Sequence, residues 1–159
     1  MIHFLENIIS NENIKIFILS MLPITELRFS IPYGILYYNI PISNTIALSI
    51  LGNILIGVIV IYLIGPLMTY FRRFNLISTV IEYIFKKTRR KGQIVNNMKF
   101  LGLIIFVGLP LPLTGVWTGS LAAYLFGISR KKSILAIVFG VLISSTIVTT
   151  LTLTGKSLL

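Results

Sequence analysis

Cysteine and aspartate are absent from this 159-residue chain, and histidine occurs once, as His3 near the N-terminus. Without cysteine there is no disulfide, no thiolate nucleophile and no thiolate-bound metal, and redox compartment stays open. A lone terminal histidine with no aspartate cannot build a Ser-His-Asp triad, a HExxH zinc site or a zinc-deaminase site. Charge is scarce too: 11% of residues carry it, and the four acids are all glutamate. No catalytic residue, metal or cofactor is therefore expected, and the chain does not read as an enzyme. What it has in abundance is apolar surface, 55% hydrophobic residues with a mean hydropathy of +0.94. Such values lie outside the soluble range and describe an all-α integral membrane protein. Met1–Glu6 lacks the basic n-region of a cleaved signal, so the N-terminus is expected in the mature chain.

The net charge of +10 is concentrated rather than spread. Residues 71–99 hold eight bases, Arg72, Arg73, Lys86, Lys87, Arg89, Arg90, Lys91 and Lys99, against Glu82, and Arg130-Lys131-Lys132 supply the rest of the excess. Two short basic segments flanking one apolar stretch follow the positive-inside rule for cytoplasmic loops, not the pattern of a nucleic-acid binder. Both are therefore expected on the cytoplasmic side of a multi-pass plasma-membrane protein. Within 71–99, Phe74, Ile77, Ile81, Ile84 and Phe85 recur at helical spacing, which predicts an amphipathic helix on the membrane surface.

Ile46–Met68 has 23 residues and Ser133–Leu153 has 21, about 34 and 31 Å as helices, enough for a hydrocarbon core of about 30 Å. Both read as transmembrane helices. Two other apolar regions, 16–38 and 100–126, are interrupted by Pro23 and Pro32 and by Pro110, Pro112 and Gly115. Proline removes a helical N–H and restrains the residue before it, so each region is expected to be two half-helices around a non-helical tip. Phe29–Tyr38, the second half of the first region, would span only about 15 Å.

If 100–126 crossed the membrane, its two basic flanks would face opposite sides; a re-entrant hairpin keeps both cytoplasmic. Counting back through Ile46–Met68 makes 16–38 a hairpin from the outer face. Pro23 corresponds to Pro110 and Gly52 to Gly140, at separations of 87 and 88, and Leu-Pro recurs at 22–23 and 109–110. The chain thus reads as one membrane domain with an inverted-topology repeat. Residues 1–70 form the first repeat, 71–99 the basic connector and 100–159 the second, each repeat a proline-broken hairpin plus one spanning helix.

Glu26 and Arg28 are the ionisable residues inside apolar sequence, at a cost of about 2.5–3.5 kcal/mol each at the bilayer centre. Two positions apart, they lie on different faces of a helix, so an intrahelical pair is not expected; a non-helical tip lets both enter one cavity. The second half of each hairpin starts at its tip, and Ser30 and Thr114 are its N-cap candidates. Two helix N-termini with Arg28, Thr25, Ser30, Thr114 and Trp117 would suit an anionic group, while Glu26 would couple to protons. Gly115, Gly119, Ala123 and Gly127 form a small-residue stripe for close helix packing.

The motifs Leu22-Pro-Ile-Thr-Glu-Leu-Arg-Phe-Ser-Ile-Pro-Tyr-Gly-Ile35 and Gly108-Leu-Pro-Leu-Pro-Leu-Thr-Gly-Val-Trp-Thr-Gly-Ser-Leu-Ala-Ala123 give the chain a resemblance over nearly its full length. It resembles the putative small multi-drug export protein family and, more remotely, the DedA/VTT superfamily. The DedA-like resemblance implies paired re-entrant hairpins, proton-motive-force dependence and translocation of lipids such as phospholipids or polyprenyl phosphates. The second hairpin lacks the basic residue of DedA-type patterns, leaving Arg28 as the single buried cation expected. The expected function is a proton-linked transporter or lipid translocase with its site between the tips. The alternative is an exporter of small, cationic molecules. The partners expected are membrane lipids or an amphipathic substrate, protons and, as one assembly open to it, a second copy of the chain; nucleic acid is not among them.

Overall fold

The computed structural model describes residues 9, 11–71, 98–112 and 114–158. Residues 72–97, and with them nearly all of the expected amphipathic connector, lie outside the described residues, as does His3. Every regular element among the described residues is a helix: α1 Glu12–Met21, α2 Glu26–Leu36, α3 Ile42–Phe71, α4 Phe100–Gly108, α5 Val116–Leu125 and α6 Arg130–Ser157.

Local chemistry sets the ends of the short helices. The Asn11 side chain caps α1, accepting from the N–H groups of Asn13 at 2.9 Å and Ile14 at 3.4 Å. The helix stops at Leu22, which takes φ −76°, ψ 143°, the extended conformation that a following proline imposes. Leu109 before Pro110 does the same at the end of α4, with φ −78°, ψ 120°. Pro32 differs: it lies inside α2, which runs from Glu26 rather than from Phe29. The first interruption is therefore only Leu22–Thr25, with Pro23 as its proline, and Pro32 is not a break.

Two helices are long and apolar enough to cross a membrane, Ile42–Met68 and Arg130–Ser157, with mean hydropathies of 2.6 and 2.4. Both extend beyond the spans read from sequence: α3 begins four residues earlier and carries Pro66 within it, and α6 begins at Arg130. Both expose many large apolar side chains, and the first half of α3 buries polar ones. On α3, Leu51, Leu55, Tyr62 and Leu63 are exposed, while Thr45, Ser49 and Asn53 are wholly buried. An apolar exterior around polar helix contacts is the arrangement that hydrocarbon favours.

The long helices run antiparallel. A Cβ on Gly57 would meet Val116 and Ile137, and the Arg130 guanidinium lies 5.5 Å from the Tyr62 ring centroid. The end of α3 that leads into the basic connector is thus the end from which the Arg130-Lys131-Lys132 turn starts α6. Each short pair doubles back on itself. In the first, Gly34 packs at Ile16 and the Lys15 ammonium sits 5.2 Å from the Tyr38 ring centroid. In the second, Lys99 Nζ reaches the Phe126 carbonyl at 3.3 Å and Gly119 packs on Val107. The pairs enter from opposite ends of the long helices and turn near their middles, where Asn53 meets Ser20 and Gly108 meets Ile143.

Helix pairing is reciprocal: α1 packs on α2 and α3 as α4 packs on α5 and α6, and α2 lies on α6 as α5 lies on α3. Gly52 and Gly140 serve the same close approach in the two halves. A Cβ on Gly52 would meet the Phe17 carbonyl at 2.6 Å, and one on Gly140 would meet the Ile104 carbonyl at 3.1 Å and Val107 Cβ at 2.7 Å. Of the small-residue stripe, Gly119 and Ala123 pack inward, whereas Gly127 has nothing within 4 Å of an added Cβ and, at φ +65°, turns the chain after α5. Alanine at Gly52 or Gly140 should therefore lower unfolding stability in detergent by about 1–3 kcal/mol through overpacking. Alanine at Gly155, which faces open space, should be neutral or stabilising by up to about 1 kcal/mol.

Candidate functional site

Breaking a helix leaves carbonyls without partners, a serious cost away from water. At the end of α1 three of these carbonyls accept from side chains. The Thr25 hydroxyl donates to Leu19, the Asn53 amide to Ser20 at 2.8 Å, and the Trp117 indole N–H to Met21 at 3.0 Å. Trp117 comes from α5, so the second tip completes the first.

The reverse service is performed by Glu26 and Arg28. Glu26 is 6% exposed and its carboxylate accepts from the Trp117 N–H at the start of α5, at 3.5 Å. It acts as the N-cap of a helix 90 positions away, and its negative charge meets the positive end of that helix. Arg28 donates to the carbonyl oxygens of Leu111 and Thr114, and stands 3.4 Å from both the Thr114 hydroxyl and the Glu26 carboxylate. The Thr114 hydroxyl lies 2.8 Å from the Leu109 carbonyl and 2.7 Å from the Leu111 carbonyl, with its one proton to share between them, so the tip between α4 and α5 is tied by its own threonine and by an arginine from α2.

These bonds change the assignments made from sequence. Glu26 and Arg28 share the first turn of α2 and still form an ion pair, because Glu26 adopts φ +47° and so departs from regular helical geometry. Thr25, not Ser30, precedes the helix, and its hydroxyl braces α1 instead of capping α2. Ser30 is buried and bonds Ser49 Oγ at 2.7 Å, away from the tips. Thr114 is not an N-cap either: α5 starts after Gly115, and Glu26 takes the capping position. The α5 N-terminus is thus filled by the protein's own carboxylate. Arg28 is not the single buried cation, since Lys15 is 8% exposed beneath Tyr38. Asn53 and Ser49 escaped the reading from sequence; a polar residue every fourth position through an apolar span, Thr45-Ser49-Asn53, was the available signal.

Between the tips lies a cavity of about 250 Å³. Pro23, Ile24, Glu26 and Arg28 line it from the first tip, and Pro112, Thr114, Trp117 and Thr118 from the second. It combines one acid, one base and apolar or aromatic walls. Among the described residues no group of three or more metal-ligating side chains occurs. Gly115 closes the contact between the tips: at φ +132°, ψ −164° it holds a conformation reserved for glycine, and a Cβ there would overlap the carboxylate of Glu26.

Residues 26–147 match the profile of a family described as putative small multi-drug export protein. No curated protein and no solved structure matches the chain.

Replacing Gly115 with alanine should expel the Glu26 carboxylate and lower unfolding stability in detergent by about 2–4 kcal/mol. Phenylalanine at Trp117 keeps the ring but leaves the Met21 carbonyl without its donor, and should cost about 1–3 kcal/mol in the same assay.

Proposed function

We propose, from the premise that the chain belongs to the putative small multi-drug export protein family, that it is a membrane exporter of small amphipathic molecules. In this reading the cavity between the tips is the transport site. The observation that carries it is a buried Glu26 carboxylate in a cavity at the middle of two helices long enough to cross a membrane, where a charge is costly and is retained for handling ions or substrate. Glu26 is the coupling group. Ionised, it clamps the start of α5 and faces Arg28; neutralised by a proton or an organic cation, it holds the other tip less strongly and the two tips can part. Substrate and proton therefore compete for one carboxylate, which links export to the inward flow of protons. Ile24, Pro112 and Trp117 would receive the apolar body of the substrate.

The membrane arrangement proposed with it makes α1–α2 and α4–α5 re-entrant hairpins from opposite faces and the two halves an inverted repeat in one membrane domain of the plasma membrane. The basic ends at residues 71–99 and 130–132 are cytoplasmic. The reciprocal helix pairing and the antiparallel long helices support this arrangement. Arg28 in the same cavity favours a second reading, translocation of a lipid with an anionic headgroup.

The two are separated in proteoliposomes. With a pH gradient imposed, the wild-type protein should drive accumulation of the organic cation ethidium, and Glu26→Gln should reduce the rate by about tenfold or more. An unchanged rate removes Glu26 from coupling. Accelerated flipping of fluorescent phosphatidylglycerol, lost in Arg28→Gln and without ethidium movement, would establish the second reading instead.

A further inference from the structure

At the basic end of the molecule a second cavity, of about 280 Å³, opens between α3 and the turn that joins α5 to α6. Ile61 and Ile64 of α3 and Ile128 of the turn give it apolar walls, and Tyr124, Ser129 and Arg130 give it a polar rim. It shares no lining residue with the cavity between the tips. Ile61 and Ile64 lie about 12–16 Å along α3 from Asn53, and Arg130 lies about 15 Å along α6 from Gly140, beside the end of α4. With the tips at the middle of a hydrocarbon core about 30 Å thick, both measures put this cavity at the boundary between acyl chains and headgroups. Tyrosine belongs at that depth, and Tyr62 and Tyr124 are exposed there.

The charge at this end is unmatched. Among the described residues it carries Lys99, Arg130, Lys131 and Lys132 and no acid: Glu12 opens α1 at the opposite end, and Glu26 is at the tips, paired with Arg28. The Arg130 guanidinium is held 5.5 Å from the Tyr62 ring centroid, which fixes it at the cavity without neutralising it. Ser129 makes no side-chain cap bond to α6, so its hydroxyl is available. Neither the turn nor membrane orientation demands this cluster. The corresponding turn, between α2 and α3, has Asn39 at φ +52° where this one has Gly127 at φ +65°, and it is followed by Ile42-Ser43-Asn44 in place of Arg130-Lys131-Lys132. Orientation already draws on the eight bases of residues 71–99.

We infer that this cavity holds an anionic phospholipid, with its phosphate between Arg130 and Ser129 and the start of its acyl chains against Ile61, Ile64 and Ile128. The inference rests on the membrane arrangement proposed for the chain and goes beyond the transport role, since no part of it uses Glu26. A guanidinium meets two phosphate oxygens at once, and the serine hydroxyl donates to a third. Lys131 and Lys132, exposed beside the rim, add attraction for negative charge at the membrane surface. The apolar walls favour a lipid over a free phosphate, which would leave them in contact with water. A basic recess between membrane-spanning helices, at headgroup depth and open toward the acyl chains, has the chemistry of a lipid site and not of a site for a soluble anion.

The test measures the unfolding temperature in neutral detergent through the fluorescence of Trp117, the single tryptophan. Phosphatidylglycerol should raise it by about 3–8 °C relative to phosphatidylcholine with the same acyl chains. Arg130→Gln should lose most of that rise. Ile64→Phe keeps every charge but fills the cavity, and should lose it as well; Ser129→Phe, at an exposed position on the rim, takes its place if Ile64→Phe does not fold. Arg28→Gln alters the tips alone and should retain the rise. Equal shifts from the two lipids overturn the site. So does a rise that survives filling of the cavity, because surface charge alone then explains it. An equal rise from glycerol 3-phosphate makes a free phosphate the ligand and overturns the lipid. A rise lost in Arg28→Gln and kept in Arg130→Gln moves the lipid to the tips and overturns the assignment too.

Discussion

A helix interrupted within a packed structure must find partners for the carbonyl and amide groups it releases, because buried polar backbone without partners is costly. The arrangement of this chain follows from how that demand is met. Neither tip satisfies all of its own groups. The first gives up the carbonyl of Met21 to the Trp117 indole, and the second gives the Trp117 amide to Glu26 and the Leu111 and Thr114 carbonyls to Arg28. Each half therefore needs the other, and the place where they meet also holds the Glu26–Arg28 pair.

The exchange is unequal. The second tip contributes backbone and an indole; the first contributes two charged side chains. Holding the α5 N-terminus with a carboxylate is stronger than holding it with a hydroxyl, but it is also reversible, since the carboxylate can take a proton or meet a cation. A structural clamp built from Glu26 is for that reason a sensitive one. The backbone at the contact is itself held in sparsely populated conformations, φ +47° at Glu26 and φ +132° at Gly115, two residues from opposite halves that touch. Such conformations persist only while the surrounding bonds over-determine them.

The surrounding scaffold keeps the meeting point in place by close helix approach together with a core that includes Leu27, Ile31, Leu103, Phe106 and Ile137. Gly52 and Gly140 bring each long helix against the first member of its own pair. With no hydrophobic force to drive helices together in lipid, short interaxial distance and hydrogen bonding supply the cohesion. Where α2 meets α3, the buried Ser30–Ser49 bond at 2.7 Å is one such hydrogen bond.

Much of this was legible in residue order. Long uncharged runs identified α3 and α6, since crossing about 30 Å of hydrocarbon demands length and apolarity that few other structures need. Pro23 and Pro110 stopped α1 and α4 as covalent geometry requires, and Glu26 and Arg28 stood out because charge within apolar sequence is costly. Tertiary structure decided what those residues hold. Pro32 reads as a breaker but lies within a helix, as α2 starts earlier at Glu26. Ser30 and Thr114 read as caps, yet the cap of α5 arrives from Glu26 across the molecule, a partner that no local spacing can reveal. Proline and hydrophobic length act on the chain within a few residues and are written in the sequence; a hydrogen bond spanning some ninety positions exists only once the fold has brought its two ends together.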